Sequence, residues 1–100
     1  MKILVTGSRG HLGEAIIRVL KKKKIEFIGV DIKPSAFTTH LGSITDREFV
    51  RQALFGVDVI VHTASLHKPH IVTHSKQAFI DTNVTGTLNL LEESKKQEWI

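Results

Sequence analysis

MKILVTGSRGHLGEAIIRVLKKKKIEFIGVD, residues 1 to 31, reads as strand, glycine turn, helix, strand and acid in one short unit. Ile3, Leu4 and Val5 make the brief apolar run of a strand buried on both faces. Glycines follow at 7, 10 and 13. Leu12, Ala15, Ile16, Val19 and Leu20 then recur at helical spacing, which predicts a helix with one stripe lying on a sheet. Glu26 to Val30 returns as a strand and ends on Asp31.

That order gives each glycine a physical task, because a phosphate reaches the first turn of a helix only where no side chain stands in its way. Gly7 permits the tight turn out of the strand, Gly10 lets backbone N–H groups close on a pyrophosphate, and Gly13 lets the helix sit close to the strands. Asp31 stands where a carboxylate would accept hydrogen bonds from the adenosine ribose hydroxyls. Three glycines alone would suit an ordinary turn. The strand before, the helix after and the acid at the next strand end decide for dinucleotide binding.

One hundred residues with 41% hydrophobic content suit a single globular unit, enough to bury about two thirds of the extended-chain surface. There is no cysteine, so disulfides and thiolate metal sites are excluded, and a reducing cytoplasm is the expected compartment. No apolar stretch has membrane-spanning length, and no signal-peptide pattern precedes Thr6. The formal charge of +4 has its largest local source in Lys21 to Lys24, at the end of the first helix, where the helix dipole favours cations. No aromatic residues are interleaved with these lysines, so a solvated face is expected rather than a nucleic-acid platform.

Beyond Asp31, Pro34 marks a sharp exit from the sheet, and Phe37 to Leu41 is a weak strand candidate. Thr45-Asp46-Arg47-Glu48 has the spacing of a capping box, with Phe49, Val50, Ala53 and Leu54 giving a short helix that Gly56 stops. Asp58 to His62 is the clearest later strand. Ser65 to Thr73, containing Pro69, is expected to be a loop. A long helix is expected from about Ser75 to Gln97, with Phe79, Ile80, Val84, Leu88 and Leu91 on its apolar side. The alternation predicts an α/β fold whose first four strands form a parallel, doubly wound sheet in the order 3-2-1-4.

Three separated segments resemble one family, the extended short-chain dehydrogenase/reductases, which include the NAD-dependent epimerases and dehydratases. Thr6 to Gly13 fits the Thr-Gly-x-x-Gly-x-x-Gly motif at every fixed position; Val61-His62-Thr63-Ala64-Ser65 resembles the end of the family's fourth strand; Asn83-Val84-Thr85-Gly86-Thr87 fits its Asn-x-x-Gly-Thr helix. The resemblance implies a Rossmann-type fold, here the N-terminal NAD(P)-binding part over residues 1–100, truncated before a fifth strand. It implies that Ser8, Arg9, His11 and Leu12 line the cofactor phosphates beside Gly7, Gly10 and Gly13. Asp31 and Ile32 would hold the ribose, with Ser43 and Ile44 near the adenine, although the family often has Asp where Ser43 stands. Thr63, Ala64 and Ser65 would pass beside the cofactor. His67 lies where some epimerases place a lysine facing substrate or nicotinamide. Asn83 would organise the active site from the helix, and Gly86 would allow close packing on the sheet.

Asp31 would repel a 2′-phosphate, which favours NAD, while Arg9 and Lys33 could neutralise one and leave NADP open. His62 is expected to be a hydrogen-bonded structural histidine and Asp46 a helix-start residue. His67, His70 and His74 lack the cysteine or nearby carboxylate that would complete a metal site. Hydride transfer in the family rests on a Tyr-x-x-x-Lys pair, and this sequence contains no tyrosine, so no residue is assigned a catalytic role. The resemblance implies the cofactor half of a longer oxidoreductase or epimerase/dehydratase acting on a nucleotide sugar by hydride transfer, one whose relatives often pair through a four-helix bundle. An NAD(P)-sensing regulator without chemistry is the alternative, and a fragment whose glycines are only turns is a third.

Overall fold

The computed structural model describes residues 1–64 and 75–96, without the side chains of residues 79, 80, 95 and 96. Strand β1 (Lys2–Thr6) leads through the glycine turn into α1 (His11–Lys22) and then β2 (Glu26–Asp31). After β3 (His40–Leu41) come α2 (Arg47–Ala53) and β4 (Val59–His62). Helix α3 (Lys76–Ile80), a π-helical turn (Asp81–Gly86) and α4 (Thr87–Lys96) follow one another without a break. The strands pair in parallel in the order β3-β2-β1-β4, as the alternation of elements requires. β1 is central, with Leu4 beside Ile28 on one neighbour and Ile60 on the other.

Strand side chains alternate between faces, so β1 feeds two cores. Leu4 joins Ile28, Val30, Ile44, Val50, Ala53, Leu54, Val57 and Leu90 on the face covered by α2 and α4. Val5 joins Ile17 and Leu20 of α1 on the other, with Ile3, Ile16, Phe27, Phe37 and Val61 packed against them. Full burial of a side chain such as Leu4 contributes about 1.5–3 kcal/mol.

Four local expectations need correction. The buried stripe of α1 is Gly13, Ile17 and Leu20, with Ile16 packed beside it; Leu12, Ala15 and Val19 are exposed, and the side of the helix that meets the glycine turn is the one carrying Gly13, where a Cβ would collide with the Gly7 carbonyl. The β2–β3 segment is a turn-rich loop in which only His40–Leu41 pairs as strand. The capping box does not form: Asp46 is the N-cap of α2, its Oδ1 accepting from the Phe49 N–H at 3.2 Å, while Thr45 bonds to Ser43 and Glu48 pairs with Arg51. Finally, Val84, Leu88 and Leu91 are exposed, and the final helix buries Gly86, Asn89, Leu90 and Glu93 instead. Polar partners explain that face. The Asn89 Nδ2 donates to the Ile44 carbonyl at 2.9 Å, and Glu93 accepts from the Arg47 Nε at 2.7 Å. Among the described residues no helix is long and apolar enough to cross a membrane.

Candidate cofactor site at the carboxyl edge of the sheet

The turn after β1 is built by main-chain hydrogen bonds that cross to β2. The Val30 carbonyl accepts from both the Gly7 N–H at 2.8 Å and the Ser8 N–H at 3.1 Å, and the Gly10 N–H closes the turn onto the Gly7 carbonyl at 3.0 Å. Gly7 has φ +76°, in the left-handed region that favours glycine, and a Cβ there would lie 2.6 Å from the Thr63 Oγ1. A Cβ on Gly13 would collide with the Gly7 carbonyl. Both glycines are required by the packing of the protein itself.

Gly10 is different. Its backbone is extended, which any residue adopts, and a Cβ would meet only the Gly7 carbonyl oxygen, at 3.3 Å. Gly10 is also the N-cap of α1 and supplies no side-chain cap to it. The first-turn N–H groups of a helix have no intrahelical partner and carry the positive end of its dipole. The opening βα corner therefore offers main-chain donors beside a residue whose missing side chain the interior only weakly demands, which suits a diphosphate.

Asp31 faces the same corner. Its Oδ2 accepts from the Arg9 N–H at 2.9 Å and its Oδ1 from the Lys33 N–H at 3.0 Å, so the carboxylate is held in one orientation by the main chain on either side. Each oxygen keeps a second lone pair for a ribose hydroxyl. Ile32 is exposed next to it.

Across β1, Thr6 organises the end of β4. Its buried hydroxyl accepts from the Thr63 and Ala64 N–H groups, both at 3.0 Å, and lies 2.6 Å from the His62 Nδ1. A hydroxyl has two lone pairs and one proton. With both lone pairs taken, Thr6 donates its proton to Nδ1, and the neutral imidazole carries its own proton on Nε2, donating to the Thr87 Oγ1 at 3.0 Å. Burial pushes the His62 pKa below the ordinary histidine value of 6.5, in agreement with that neutral form. The expectation of a hydrogen-bonded structural histidine holds. Asn83 lies in the π-helical turn just before Thr87, a distortion often found at functional sites.

The structure thus brings Gly7, Arg9, Gly10, Gly13 and Asp31 together at the carboxyl ends of β1 and β2, with Thr63 and Ala64 over Gly7. His11 and Leu12 are exposed at the start of α1. Two expected lining residues are placed otherwise. Ser8 is 0% exposed, its hydroxyl 2.8 Å from the Thr38 Oγ1, so it ties the loop inward and offers no side-chain surface to a ligand. Ile44 is 5% exposed, and a Cβ on Gly86 would come within 2.5 Å of its side chain. Gly86 therefore permits close packing against Ile44, not against the strands. Ser43 bonds to Thr45. Ser65, His67 and the other histidines of that segment lie outside the described residues. Thr38, central to the hydrogen bonding, escaped sequence reasoning because an isolated threonine carries no periodicity or spacing signal; Thr6 and Thr87 stand at fixed positions of the two motifs, but the spacing gave neither hydroxyl a partner.

The NAD dependent epimerase/dehydratase family model matches residues 3–99. Among curated proteins the chain is 30% identical to an uncharacterized membrane protein of Methanocaldococcus jannaschii, over 96% of this chain and 33% of that protein. It is 32% identical to sterol demethylase protein B of Methylococcus capsulatus, over 96% of this chain and 31% of that protein. Among solved structures, a short-chain dehydrogenase/reductase superfamily protein of Agrobacterium tumefaciens with bound NAD superposes with a TM-score of 0.87 at 26% identity, covering 99% of this chain and 30% of that one. A UDP-glucose 4-epimerase of Thermotoga maritima with UDP-glucose gives 0.83 at 27% identity, covering 99% and 35%. The chain spans about one third of the length of these relatives.

Proposed function

Since the chain belongs to the NAD dependent epimerase/dehydratase family, we propose that it is the cofactor-binding part of an oxidoreductase or epimerase/dehydratase that uses NAD and acts on a nucleotide sugar. The observation that carries the reading is the α1 N-terminus, open beside Gly10 and flanked by the oriented carboxylate of Asp31. The residues present fit the dinucleotide. The main chain from Gly10 to Gly13 would hold the diphosphate, Asp31 the ribose, and Thr63 with Ala64 the face towards the nicotinamide. When bound, NAD supplies a hydride acceptor. The proton donor would come from outside this sequence, which has no tyrosine. A nucleotide-sugar substrate is supported by the UDP-glucose complex of the Thermotoga epimerase. A homodimer of the longer protein belongs to the same reading, with exposed Val84, Leu88 and Leu91 as its apolar stripe; the absence of cysteine supports a cytoplasmic setting.

The test is a titration of the protein with NAD and NADP, repeated on Asp31→Ala. NAD is expected to bind more tightly, and the substitution to weaken NAD more than NADP, because it removes both a partner for a free 2′-hydroxyl and a charge that repels a 2′-phosphate. Equal losses for the two cofactors would mean that Asp31 does not face the ribose.

A further inference from the structure

Beyond that reading, and resting on it, we propose that Thr38 is a specificity-determining residue whose hydroxyl latches the β2–β3 loop to the glycine loop and so fixes the choice between NAD and NADP. The Thr38 Oγ1 lies 2.8 Å from the Ser8 Oγ and 2.8 Å from the Ser35 Oγ, and it donates to the Lys33 carbonyl at 3.2 Å. Counting closes the network. Its one proton goes to Lys33, so its two lone pairs accept from Ser8 and Ser35, while the Ser35 oxygen accepts from the Phe37 N–H at 3.2 Å. No ligand reaches the buried Ser8 side chain, so this hydroxyl acts by position.

What the latch positions is Asp31. Arg9, next to Ser8, gives its N–H to one carboxylate oxygen; Lys33, whose carbonyl Thr38 holds, gives its N–H to the other. Thr38 therefore joins the two segments that aim the carboxylate. The rest of the loop is anchored on β2 by the Thr39 N–H to the Gly29 carbonyl at 2.9 Å and the Gly29 N–H to the Thr39 Oγ1 at 3.0 Å. Phe37 lies with its ring 5.1 Å from the Arg18 guanidinium and 5.2 Å from the Lys21 ammonium. These anchors, and the Ser8 N–H on the Val30 carbonyl, remain when the Thr38 hydroxyl is removed, so the glycine loop keeps its place while the Lys33 end of the β2–β3 loop is freed and the Ser8 and Ser35 hydroxyls lose this partner. Arg9 and Lys33 are exposed, and among the described residues neither joins an ion pair. In the latched loop their main chain serves Asp31; released, their side chains can turn to a 2′-phosphate.

The experiment measures the Kd of NAD and of NADP for the wild-type protein, Thr38→Val, Thr38→Ser and Ser35→Ala. Thr38→Val keeps the shape without the hydroxyl and is expected to lower the NADP-to-NAD Kd ratio by about tenfold, the scale of one to two lost hydrogen bonds. Thr38→Ser should restore the ratio to within about twofold. Ser35→Ala, which removes one arm only, should lower it by a smaller factor, and it decides the matter by the same criterion if Thr38→Val does not fold. Equal weakening of both cofactors, or no change, overturns the latch alone. A folded wild-type protein that binds neither cofactor overturns the cofactor reading and the latch with it.

Discussion

Gly7, Gly10 and Gly13 look alike in the sequence, yet the structure separates them by what a methyl group would meet. At Gly13 it would strike the Gly7 carbonyl, whereas at Gly10 it would meet only one oxygen, at 3.3 Å. Gly13→Ala is therefore expected to lower Tm markedly, with or without ligand. Gly10→Ala should leave Tm within a few degrees and raise the NAD Kd by at least about tenfold, the effect of one methyl group intruding on main-chain donors. Thermal melts and NAD titrations on the two variants check this; a Gly10→Ala protein that binds NAD normally would assign Gly10 to turn geometry alone. His62 gives a second residue-scale prediction. Its folded pKa lies below 6.5, so the unfolded chain takes up the proton first. That contribution to stability is fully present above pH 6.5 and is lost as pH falls from there towards the folded value. A protonated Nδ1 would also point at a Thr6 oxygen with no free lone pair. Tm of the wild type should drop more steeply than that of His62→Gln between about pH 7 and about pH 5.5, and parallel curves would contradict the neutral relay. The motif named the glycines and Asp31, but nothing in it distinguishes the inward hydroxyl of Ser8 from the outward main chain of Arg9. That distinction depends on Thr38, thirty residues away.

At the level of elements, the sequence pattern located β1, β2, β4, α1, α2 and the final helical stretch, but it overextended β3, missed the π-helical turn, and misjudged faces and ends where polar groups supply the contact. The final helix is the clearest example. Val84, Leu88 and Leu91 form an apolar row at helical spacing, yet Asn89 and Glu93 are the buried members, held by the Ile44 carbonyl and Arg47. The Glu93 carboxylate raises the Arg47 pKa by accepting its hydrogen bond, with Glu92 adding to the effect. An apolar-moment argument has no means of anticipating a buried polar residue whose partner lies on another element. The start of α2 shifted for a related reason: both Thr45 and Asp46 are good N-cap types, and the turn at Ser43 took Thr45. Asp46→Ala should accordingly cost about 1 kcal/mol of stability, measured by urea denaturation, while Thr45→Ala, which removes no helix cap, should cost less. A larger loss from Thr45→Ala would reinstate the capping box.

For the whole molecule, an all-parallel sheet with β1 at its centre places the ends of β1, β2 and β4 on one edge, where Gly7, Arg9, Gly10, Gly13, Asp31, Thr63 and Ala64 come together. Open α/β sheets bind their ligands at this edge, where the chain crosses from one side of the sheet to the other. That global arrangement was legible because alternating strands and helices admit few other topologies; the hydroxyl network that stiffens the edge was not, because it is made of single contacts between distant residues. The most direct test is a crystal structure of the protein bound to NAD. The account predicts the diphosphate within about 3 Å of main-chain nitrogens between Gly10 and Gly13, with the adenosine ribose on the Asp31 carboxylate. A diphosphate bound anywhere else, with the α1 N-terminus left to solvent, would contradict it.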